Sequence, residues 1–561
     1  MSRSVLTILA LGAVAPQSAL ACGGFFCSTV TPVDQAAEEI LFAMDGSEVT
    51  MHVKIAYDGP AEDFSWVVPV ATEPTLSIGT DSLFTTLSGL RAAWALTRDT
   101  DKCSMPSSSA ADSAGDDDDG GGNGVTIIST GAVGPYEQVT LLAQNSDELT
   151  TWLTGNNFDI PADFNTAIAP YVAAGQYFVA LRLAKNKDAG DLEPIVLTYQ
   201  GDIASIPIQL TAVAATPDMG LRVYVLGDHR AVPESYLHVK LNHLAINWWR
   251  GGDNVDDAIG AAADEAGGHA FFTDYSGSPS PVQNQIFQNA WDNVNLAGIS
   301  DAEALLLTIA MEGLPIDDPM LDVLSEHMNI PVESANQMDL TEIFGCMNPG
   351  TYYGYTYSEG GGYGDCYSEE LALVTYDPVE LAAGVELNVL EPRRRTELLL
   401  ASHPKITRMT SSVSPGEMTV DPTFVFNPDM ADVAQVRNAI ERYECGGRFD
   451  DVFEAPREVI LADGRNIWIP SMDELGNRGL SEFEWLEANG LTRPAAALIE
   501  QTSASGQPEV LVDNSFLLDQ QIEPYGDSKG CGCNQGSTQV GWLALLPLLL
   551  LRRRDRVTAR R

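Results

Sequence analysis

Two hydrophobic runs on either side of Asp45-Gly46 constrain the start of the fold more than any other feature of the sequence. The first run is EEILFAM, and in the second, SEVTMHVKIAY, every other residue from Val49 to Tyr57 is large and apolar. Asp-Gly favours a tight turn with positive φ, which joins antiparallel strands. The sequence therefore predicts a β-hairpin with one buried face. REVILADGRNIWIP, around Asp463-Gly464, predicts a second hairpin near the other end of the chain.

The rest of the chain mixes strand and helix patterns without strict alternation of the two. Strand patterns occur in DFSWVVPV, VTIIS, YFVALRL, PIVLTY, PIQLTAVAA, LRVYVLG, YLHVKLN, LALVTY and TFVFN. Helical spacing of apolar residues occurs at 146–154, at 161–173 and over most of 253–345. This mixture predicts an α+β protein with a largely antiparallel β-sheet, hairpins and a helical middle segment.

Composition divides the chain into six parts. They are a signal peptide at 1–21, a β-rich N-terminal part at 22–103, an insertion at 104–124, the main domain at 125–430, an α/β extension at 431–530 and a tail at 531–561. The insertion, SMPSSSAADSAGDDDDGGGNG, has almost no residue able to join a core, and the sequence predicts that it is flexible. A calcium loop is the other interpretation, but Asp116 begins no DxDxDG pattern and Ile127 stands where the loop needs Glu.

The N-terminus has the order of a secretory signal: an early Arg3, an apolar stretch from Val5 to Ala15, and small residues before Cys22. The sequence predicts cleavage after Ala21. A lipoprotein-type cut at the same bond, which leaves a lipid on Cys22, is the alternative.

The C-terminus combines Cys531-Gly532-Cys533, a twelve-residue apolar run from Val540 to Leu551, and six arginines. A helix needs about 20 residues to cross the hydrocarbon core, so the run alone is a marginal span. The pattern resembles the MYXO-CTERM sorting tail of myxobacteria and their relatives. That resemblance implies removal of the tail by sorting machinery, display on the outer surface or outer membrane of a Gram-negative-type cell, and a lipid on Cys531 or Cys533. An ordinary tail anchor is the alternative.

The charge of the chain excludes two classes of partner. Loss of 1–21 and 534–561 removes seven arginines and one aspartate, which changes the net charge from −47 to −53. Nucleic acid and anionic lipid are bound through Lys and Arg, so such an acidic chain repels both. Contact with a membrane is therefore expected only through the tail or an attached lipid.

Eight cysteines in an exported protein predict disulfides rather than catalytic thiols. Closeness in sequence favours Cys22 with Cys27 and Cys346 with Cys366. When Cys531 and Cys533 of the tail are set aside, this leaves Cys103 with Cys445 by elimination. The result is one of fifteen possible pairings of the six remaining cysteines.

Several stretches resemble the bacterial envelope family of domain of unknown function 2330. They are CGGFFC at 22–27, Gln35 and Glu38 ahead of the hairpin, DFSWVVPV after it, GLRVYVLGDHRAVPESYLHVKLN, AADEAGGHAFFTDYSG, and ITRMTSSVSPGEMTVDPTFVFN at 406–427. The resemblance covers 22–430 apart from the insertion. It implies an exported protein and no particular reaction.

Two common catalytic and cofactor motifs are absent from the sequence. There is no HExxH and no phosphate-binding glycine loop. His229, His238 and His243 lie close together in sequence, but strand alternation predicts that His238 and His243 face opposite sides and do not form a metal site. The sequence therefore predicts no catalytic, cofactor-binding or metal-binding residue.

The best binding candidate in the sequence is the loop CMNPGTYYGYTYSEGGGYGDC, at 346–366. Tyr352, Tyr353, Tyr355 and Tyr357 combine rigid amphipathic rings with a glycine-rich backbone, a mixture common in recognition loops. A loop whose tyrosines pack on their own domain is the structural alternative.

These features together predict an exported cell-surface protein that binds a protein or carbohydrate, or that serves as a structural component of the envelope. The alternative is an envelope hydrolase with an acidic or metal-assisted site.

Overall fold

The computed structural model describes residues 35–55, 66–99, 127–133, 136–155, 164–183, 193–213, 215–330, 340–347, 368–445 and 451–526. The strands in these ranges are β1 (Gln35–Asp45), β2 (Glu48–Ile55), β3 (Trp66–Val70), β4 (Thr75–Ile78), β5 (Ala93–Asp99), β6 (Ile127–Val133), β7 (Tyr136–Leu142), β8 (Tyr177–Leu183), β9 (Ile195–Gln200), β10 (Ala204–Ser205), β11 (Ala215–Gly227), β12 (Arg230–Pro233), β13 (Leu237–Leu241), β14 (Ala270–Gly277), β15 (Lys405–Val413), β16 (Thr423–Asn427), β17 (Val436–Tyr443), β18 (Arg457–Ile460), β19 (Asn466–Ile469), β20 (Ala496–Gln501) and β21 (Glu509–Asp513). The α-helices are α1 (Asp81–Ser88), α2 (Ser146–Gly155), α3 (Phe164–Ala173), α4 (Ile208–Thr211), α5 (Val255–Glu265), α6 (Ala302–Met311), α7 (Asp318–His327), α8 (Leu340–Met347), α9 (Ser368–Leu371), α10 (Pro378–Val385), α11 (Glu391–Ser402), α12 (Met472–Arg478), α13 (Glu482–Ala488) and α14 (Ser515–Ile522).

The architecture confirms the predicted α+β class with mostly antiparallel sheets. The largest sheet has the strand order β21-β20-β13-β14-β15-β11-β1-β2-β9-β4. Three smaller sheets have the orders β10-β16-β12, β19-β18-β17-β5 and β3-β8-β7-β6. Three neighbouring pairs are parallel, namely β1 with β11, β13 with β14, and β5 with β17.

Both hairpins predicted from Asp-Gly pairs are confirmed. β1 and β2 pair antiparallel up to Asp45 opposite Glu48, and Gly46 takes a φ of 64° in the turn. β18 and β19 pair in the same way, and Gly464 has a φ of 88°. Glycine adopts these left-handed values without steric cost, which explains its place in both turns.

The central strands of the large sheet are covered on both faces. On β1, Phe42 packs into the core between the large sheet and the β10-β16-β12 sheet, where it contacts Phe424. The next residue toward the N-terminus, Leu41, points to the opposite face and packs against α1 and Tyr224. Burial on both faces explains why EEILFAM is a continuous apolar run rather than an alternating one.

The helical middle segment forms a separate core of its own, built mainly from α6, α7, α8 and α10. Asp301 begins α6 by accepting a hydrogen bond from the Ala304 amide, and Asp377 does the same for the amides of Val379 and Glu380 at the start of α10. Aspartate is a preferred N-cap residue because its carboxylate accepts hydrogen bonds from first-turn amides that have no partner within the helix.

Two predictions about single segments are wrong, and a strand lies within the segment expected to be helical. Within 253–345, which was expected to be mostly helical, AFFTDYSG forms the central strand β14; it is buried along most of its length and therefore shows no alternation. PIQLTAVAA contains the short helix α4 instead of a strand. In LALVTY the buried residues Leu371 and Val374 are three apart, which is helical spacing, and the segment includes the end of α9.

The boundary predicted at residue 430 runs between strands that share sheets. β17 pairs with β5, and β20 pairs with β13, so strands of 431–530 complete two sheets begun by the preceding part. Within the ranges above, no helix combines the length and the hydropathy needed to span a membrane.

Candidate functional site

Most residues singled out from the sequence lie outside the described residues, and their roles stay predictions. These are Ala21, Cys22, Cys27, Cys103, Cys366, Cys531 and Cys533, with Tyr352, Tyr353, Tyr355 and Tyr357. Cys346 lies in the backbone of α8, but its side chain is outside the described part. Cys445 is buried beside Tyr443 and is disulfide-bonded, and the identity of its partner stays a prediction.

A large cavity lined by described residues lies where the large sheet meets the β19-β18-β17-β5 sheet. Its volume is about 740 Å³, which falls in the range of small-molecule sites. Its floor comes from β13, β14 and β20, one wall from the connection between β16 and β17, and the rim from the β18–β19 turn and the first turns of α14. Apolar side chains such as Phe272, Met430 and Leu498 supply part of the lining.

Thr273 is the point at which three polar side chains of the cavity meet. Its Oγ1 lies 3.0 Å from His238 Nε2 and accepts a hydrogen bond of 3.3 Å from Arg230 Nη2. Its carbonyl oxygen accepts a hydrogen bond of 2.9 Å from Arg437 Nη2. The three partners come from β13, β12 and β17, so the arrangement depends on strands far apart in sequence.

His238 is held in one orientation by its neighbours across the sheet. Glu500 lies directly opposite it on the antiparallel strand β20, and His238 Nδ1 is 3.2 Å from Glu500 Oε2. Lys240 Nζ donates to the other carboxylate oxygen at 2.7 Å. Burial alone would raise the pKa of Glu500, but the hydrogen bonds from His238 and Lys240 outweigh it and lower the pKa to about 2.

The protonation states of Glu500 and His238 follow from these contacts. Glu500 is ionised and only accepts, so His238 Nδ1 carries the proton and donates it to the carboxylate. Burial lowers the pKa of His238, which keeps the imidazole neutral at pH 7. Nε2 is then an acceptor, and the hydroxyl of Thr273 donates to it while accepting from Arg230.

Arg437 lines the cavity with a guanidinium that forms no ion pair among the described residues, although the Asp274 carboxylate acts on it at longer range. It stacks over Trp94 and Phe272, with its Cζ 5.4 and 5.1 Å from the two ring centroids. Its Nη atoms donate to main-chain carbonyls, including those of Thr273 and Asp274. Burial lowers the pKa of Arg437 to about 10, so the group stays charged at pH 7.

Arg230 is a second guanidinium of the cavity that forms no ion pair among the described residues. It is 6% exposed, donates to the Ala431 carbonyl and to Thr273, and forms no ion pair within the described part of the chain. Its buried Nε has no hydrogen-bond acceptor there. Burial lowers its pKa as well.

His243 lines the same cavity as His238, which corrects the expectation from strand alternation. β13 ends at Leu241, and a 3₁₀ turn at His243–Ala245 redirects the chain, so alternation cannot be extended to His243. The ring packs edge-on against Trp94 and Trp248. Its buried Nδ1 has no hydrogen-bond partner in the described part, and Asp463 Oδ2 is 3.7 Å away.

The remaining charges of the cavity are paired. Arg465 contacts Asp463 at 2.9 Å and Asp519 at 3.0 Å, and both carboxylates lie at the rim. The third histidine of the sequence cluster, His229, is exposed and is not among the lining residues. Within the described ranges, no three His, Cys, Asp or Glu side chains are grouped so that they could hold a metal ion.

Sequence reasoning missed the partners of His238. Arg230, Thr273, Arg437 and Glu500 belong to no motif of fixed spacing. One signal was present for Glu500 and Thr273, because each is a polar residue within an apolar strand, AALIEQ and AFFTDYSG. A polar residue buried in such a strand needs a hydrogen-bond partner, but the sequence does not show which.

Comparison with known proteins adds the family and no activity. No curated protein and no solved structure matches the chain. The sequence model of one family, "Uncharacterized protein conserved in bacteria (DUF2330)", matches residues 16–299, which is just over half of the chain. The match includes Arg230, His238, His243 and Thr273, whereas Arg437, Glu500 and the stretch 406–427 lie beyond it. The chain therefore belongs to the bacterial family DUF2330.

Proposed function

We propose that this protein is exported, is displayed at the outer surface of a Gram-negative-type cell, and acts there by binding a ligand in the cavity around Thr273. Two features of the sequence support export: the apolar leader that ends at Ala21, and the tail with Cys531, Cys533 and an arginine cluster. The cavity supports binding.

The observation that carries the binding proposal is the convergence of His238, Arg230 and Arg437 on Thr273 inside a large, partly apolar cavity. Ligand sites combine apolar walls with a few convergent polar groups. Unpaired buried polar groups cost free energy, and a fold retains them where they serve a ligand or a reaction.

The test fills the cavity without touching its polar groups. Ala431 is an exposed lining residue that contacts Arg230 through its main-chain carbonyl, so Ala431→Trp adds bulk at the wall. Ala383→Trp, at an exposed position of α10, is the matched control. We expect at least one probe among neutral disaccharides, uronic acids and short peptides to raise the Tm of the mature protein and of Ala383→Trp, but not of Ala431→Trp. Equal responses in both variants, or no response to any probe, would contradict the proposal.

The location has its own test. Mass spectrometry of protein recovered from cell envelopes should show Cys22 as the first residue, a C-terminus near Cys531 or Cys533, and an acyl mass if a lipid is attached. Protease added to intact cells should digest the protein. A mature chain that retains Met1 and Arg561, or that is fully protected in intact cells, would be evidence against export and display.

The tyrosine-rich loop at 346–366 remains a proposed second contact for a protein or carbohydrate partner. Replacement of Tyr352, Tyr353, Tyr355 and Tyr357 by Ser should abolish partner capture and leave the Tm nearly unchanged. Unchanged capture would remove the loop from the account.

A hydrolase is the second candidate function, favoured by the hydrogen-bonded series Thr273, His238 and Glu500. The order hydroxyl, imidazole, carboxylate is that of a nucleophile, its general base and the group that orients the base. Thr273 Oγ1 would attack a carbonyl carbon as its proton passes to His238 Nε2. The imidazolium would return that proton to the leaving group, and water would then release the acyl group. Arg230 would stabilise the negative oxygen.

Turnover of p-nitrophenyl esters decides this second candidate. The series predicts activity that survives chelator and is lost in both Thr273→Ala and His238→Ala. Activity that is lost on chelation would instead indicate a metal-assisted site, and activity retained in Thr273→Ala would remove the nucleophile.

A further inference from the structure

We infer that the ligand of the cavity carries an oxyanion, a carboxylate, phosphate or sulfate group, which binds between Arg230 and Arg437. The inference rests on the proposed binding function and adds the chemical class of the ligand.

The lining of the cavity is opposite in charge to the molecule as a whole. The whole chain has a net charge of −47, yet the cavity is lined by four cationic side chains and only two carboxylates. The cations are Arg230, Lys240, Arg437 and Arg465, and the carboxylates are Asp463 and Asp519. A positive site within an acidic molecule is opposite to what the overall composition predicts.

Only two of these four cationic side chains form ion pairs within the described part of the chain. Lys240 is neutralised by Glu500, and Arg465 by Asp463 and Asp519. Arg230 and Arg437 have no such partner among the described residues, and their donors go to uncharged oxygens. These two guanidiniums, which form no ion pair, are therefore the main source of the positive charge that faces the cavity. The carboxylates of Glu500 and Asp432 act on Arg230 at longer range, and that of Asp274 acts on Arg437.

The guanidiniums of Arg230 and Arg437 converge on one residue. Both guanidiniums donate to the same residue, Arg230 to the side chain of Thr273 and Arg437 to its main chain. Each guanidinium has five N–H groups, and Arg230 Nε has no acceptor in the described part. His243 Nδ1 adds another buried polar atom without a partner in the same lining.

The chemistry of guanidinium determines the class of ligand. Its planar set of donors matches the paired oxygens of carboxylate, phosphate or sulfate, and hydrogen bonds between two charged groups are about twice as strong as neutral ones. Two guanidiniums that form no ion pair in a partly dehydrated site are costly, and an incoming oxyanion lowers that cost. A neutral ligand would leave both charges unpaired.

The size of the cavity indicates that the anion is one part of a larger ligand. A volume of about 740 Å³ is much more than an inorganic anion fills. Leu241, Val433 and Pro508 supply apolar lining for the rest of the molecule. A sugar acid, or another organic acid of similar size, combines an anionic group with a larger body that could contact this apolar lining.

The experiment compares glucuronate with glucose, which differ by the carboxylate, and includes inorganic phosphate and sulfate as separate arms. Isothermal titration of the mature protein should show binding of glucuronate and none of glucose. Binding of phosphate or sulfate in competition with glucuronate would show that tetrahedral oxyanions use the same place, and failure to compete would restrict the class to carboxylates. A tenfold increase in NaCl should weaken glucuronate binding.

Three variants locate the contact. Arg230→Gln and Arg437→Gln should each weaken glucuronate binding by roughly tenfold or more, the usual effect of losing a charged hydrogen bond. Arg478→Gln is the matched control, because Arg478 is exposed, is paired with Glu474 and is not among the lining residues; it should change binding less than about threefold. A Tm measured without ligand checks that each variant is folded, and the salt dependence of the unmodified protein needs no variant.

The outcomes separate this inference from the proposed function. If glucose and glucuronate bind equally, or if both arginine variants bind as the unmodified protein does, the oxyanion inference is wrong. If neutral sugars or peptides bind and Ala431→Trp prevents it, binding in the cavity stands without the anion. If no probe binds, both fail.

Discussion

Glu441 shows at the residue scale how the region beside the cavity is held together. The side chain is fully buried and accepts four hydrogen bonds: Arg457 Nη1 and Trp249 Nε1 donate to Oε1, and Tyr443 Oη and Arg98 Nε donate to Oε2. Arg457 is also fully buried, and its other carboxylate partner is Glu482. Such a pair contributes little compared with an apolar pair, but removing one member leaves a buried charge.

Glu441→Gln should therefore lower the free energy of unfolding by about 3 kcal/mol, as urea denaturation would measure. Glu474→Gln removes the carboxylate from an exposed pair with Arg478 and is the matched control, with no measurable change expected. A loss at Glu441 as small as that of the control would show that the buried pair is not structural.

His52 predicts a pH dependence of stability. It is buried in the large sheet, and burial, with a smaller effect of Arg395, lowers its pKa to about 3. The unfolded chain has the ordinary value near 6.5, so the folded state excludes a proton that the unfolded state binds. The contribution is complete above pH 6.5 and is lost as the pH falls toward 3.

Between pH 6 and 5, His52→Leu should lose about 1 kcal/mol less stability than the unmodified protein, because the variant has no imidazole to protonate. Urea denaturation at the two pH values gives the comparison. Parallel losses in both proteins would show that His52 is not held neutral in the fold.

The candidate site itself was only partly predictable from single residues. Histidines are rare in the chain, so His238 and His243 attracted attention, but Glu500 follows His238 by 262 residues. Arginines are not rare in the chain, so the sequence does not single out individual ones. Arg230 and Arg437 matter because neither forms an ion pair in the described part of the chain, and that property depends on the fold.

At the scale of elements, two glycines with positive φ differ in the space that surrounds their Cα atoms. Gly46 has a φ of 64° and open space where a Cβ would stand. Gly252, next to the 3₁₀ turn Trp248–Arg250, has a φ of 78°, and a Cβ there would lie 2.5 Å from Trp94 Cδ1. Both substitutions strain the backbone, and only the second also displaces a buried ring.

Gly46→Ala should cost about 1 kcal/mol, the penalty for a side chain in the left-handed region. Gly252→Ala should cost about 1–3 kcal/mol more because it overpacks the core. Denaturant unfolding of the two variants gives the ranking, and a larger loss at Gly46 would contradict the packing of Trp94.

The elements were predictable where local chemistry decides the structure. Asp-Gly turns and alternating strands identified both hairpins, and spacing identified α2 and α3. Short apolar runs failed, as in PIQLTAVAA and LALVTY, because a buried strand and a buried helical turn have similar composition. Burial on both faces removed the alternation that would have identified β14.

At the scale of the whole molecule, parallel pairing across long distances was not predictable. β1 lies beside β11, about 180 residues later, and β5 lies beside β17, whose residue Arg442 pairs with Asp99. No local signal selects such neighbours, since any buried strand is chemically acceptable to several others. The same pairing joins the 431–530 extension to the rest of the fold.

The pairing of β5 with β17 supports one disulfide prediction. In the sequence Cys103 follows Asp99 by four residues and Cys445 follows Arg442 by three, and Asp99 and Arg442 lie opposite each other on these parallel strands. We expect non-reducing peptide mapping to yield a Cys103–Cys445 peptide. Reduction of the bond should destabilise the protein by about 2–5 kcal/mol. A peptide that joins Cys445 to any other cysteine would contradict this pairing.

The most direct test of the central claim is a crystal structure of the mature protein grown with glucuronate. The account predicts electron density for one sugar in the cavity, with its carboxylate within hydrogen-bonding distance of Arg230 and Arg437 and its ring toward Leu241 and Pro508. Density for glucuronate at another surface, with this cavity holding only solvent at a saturating concentration, would contradict the account.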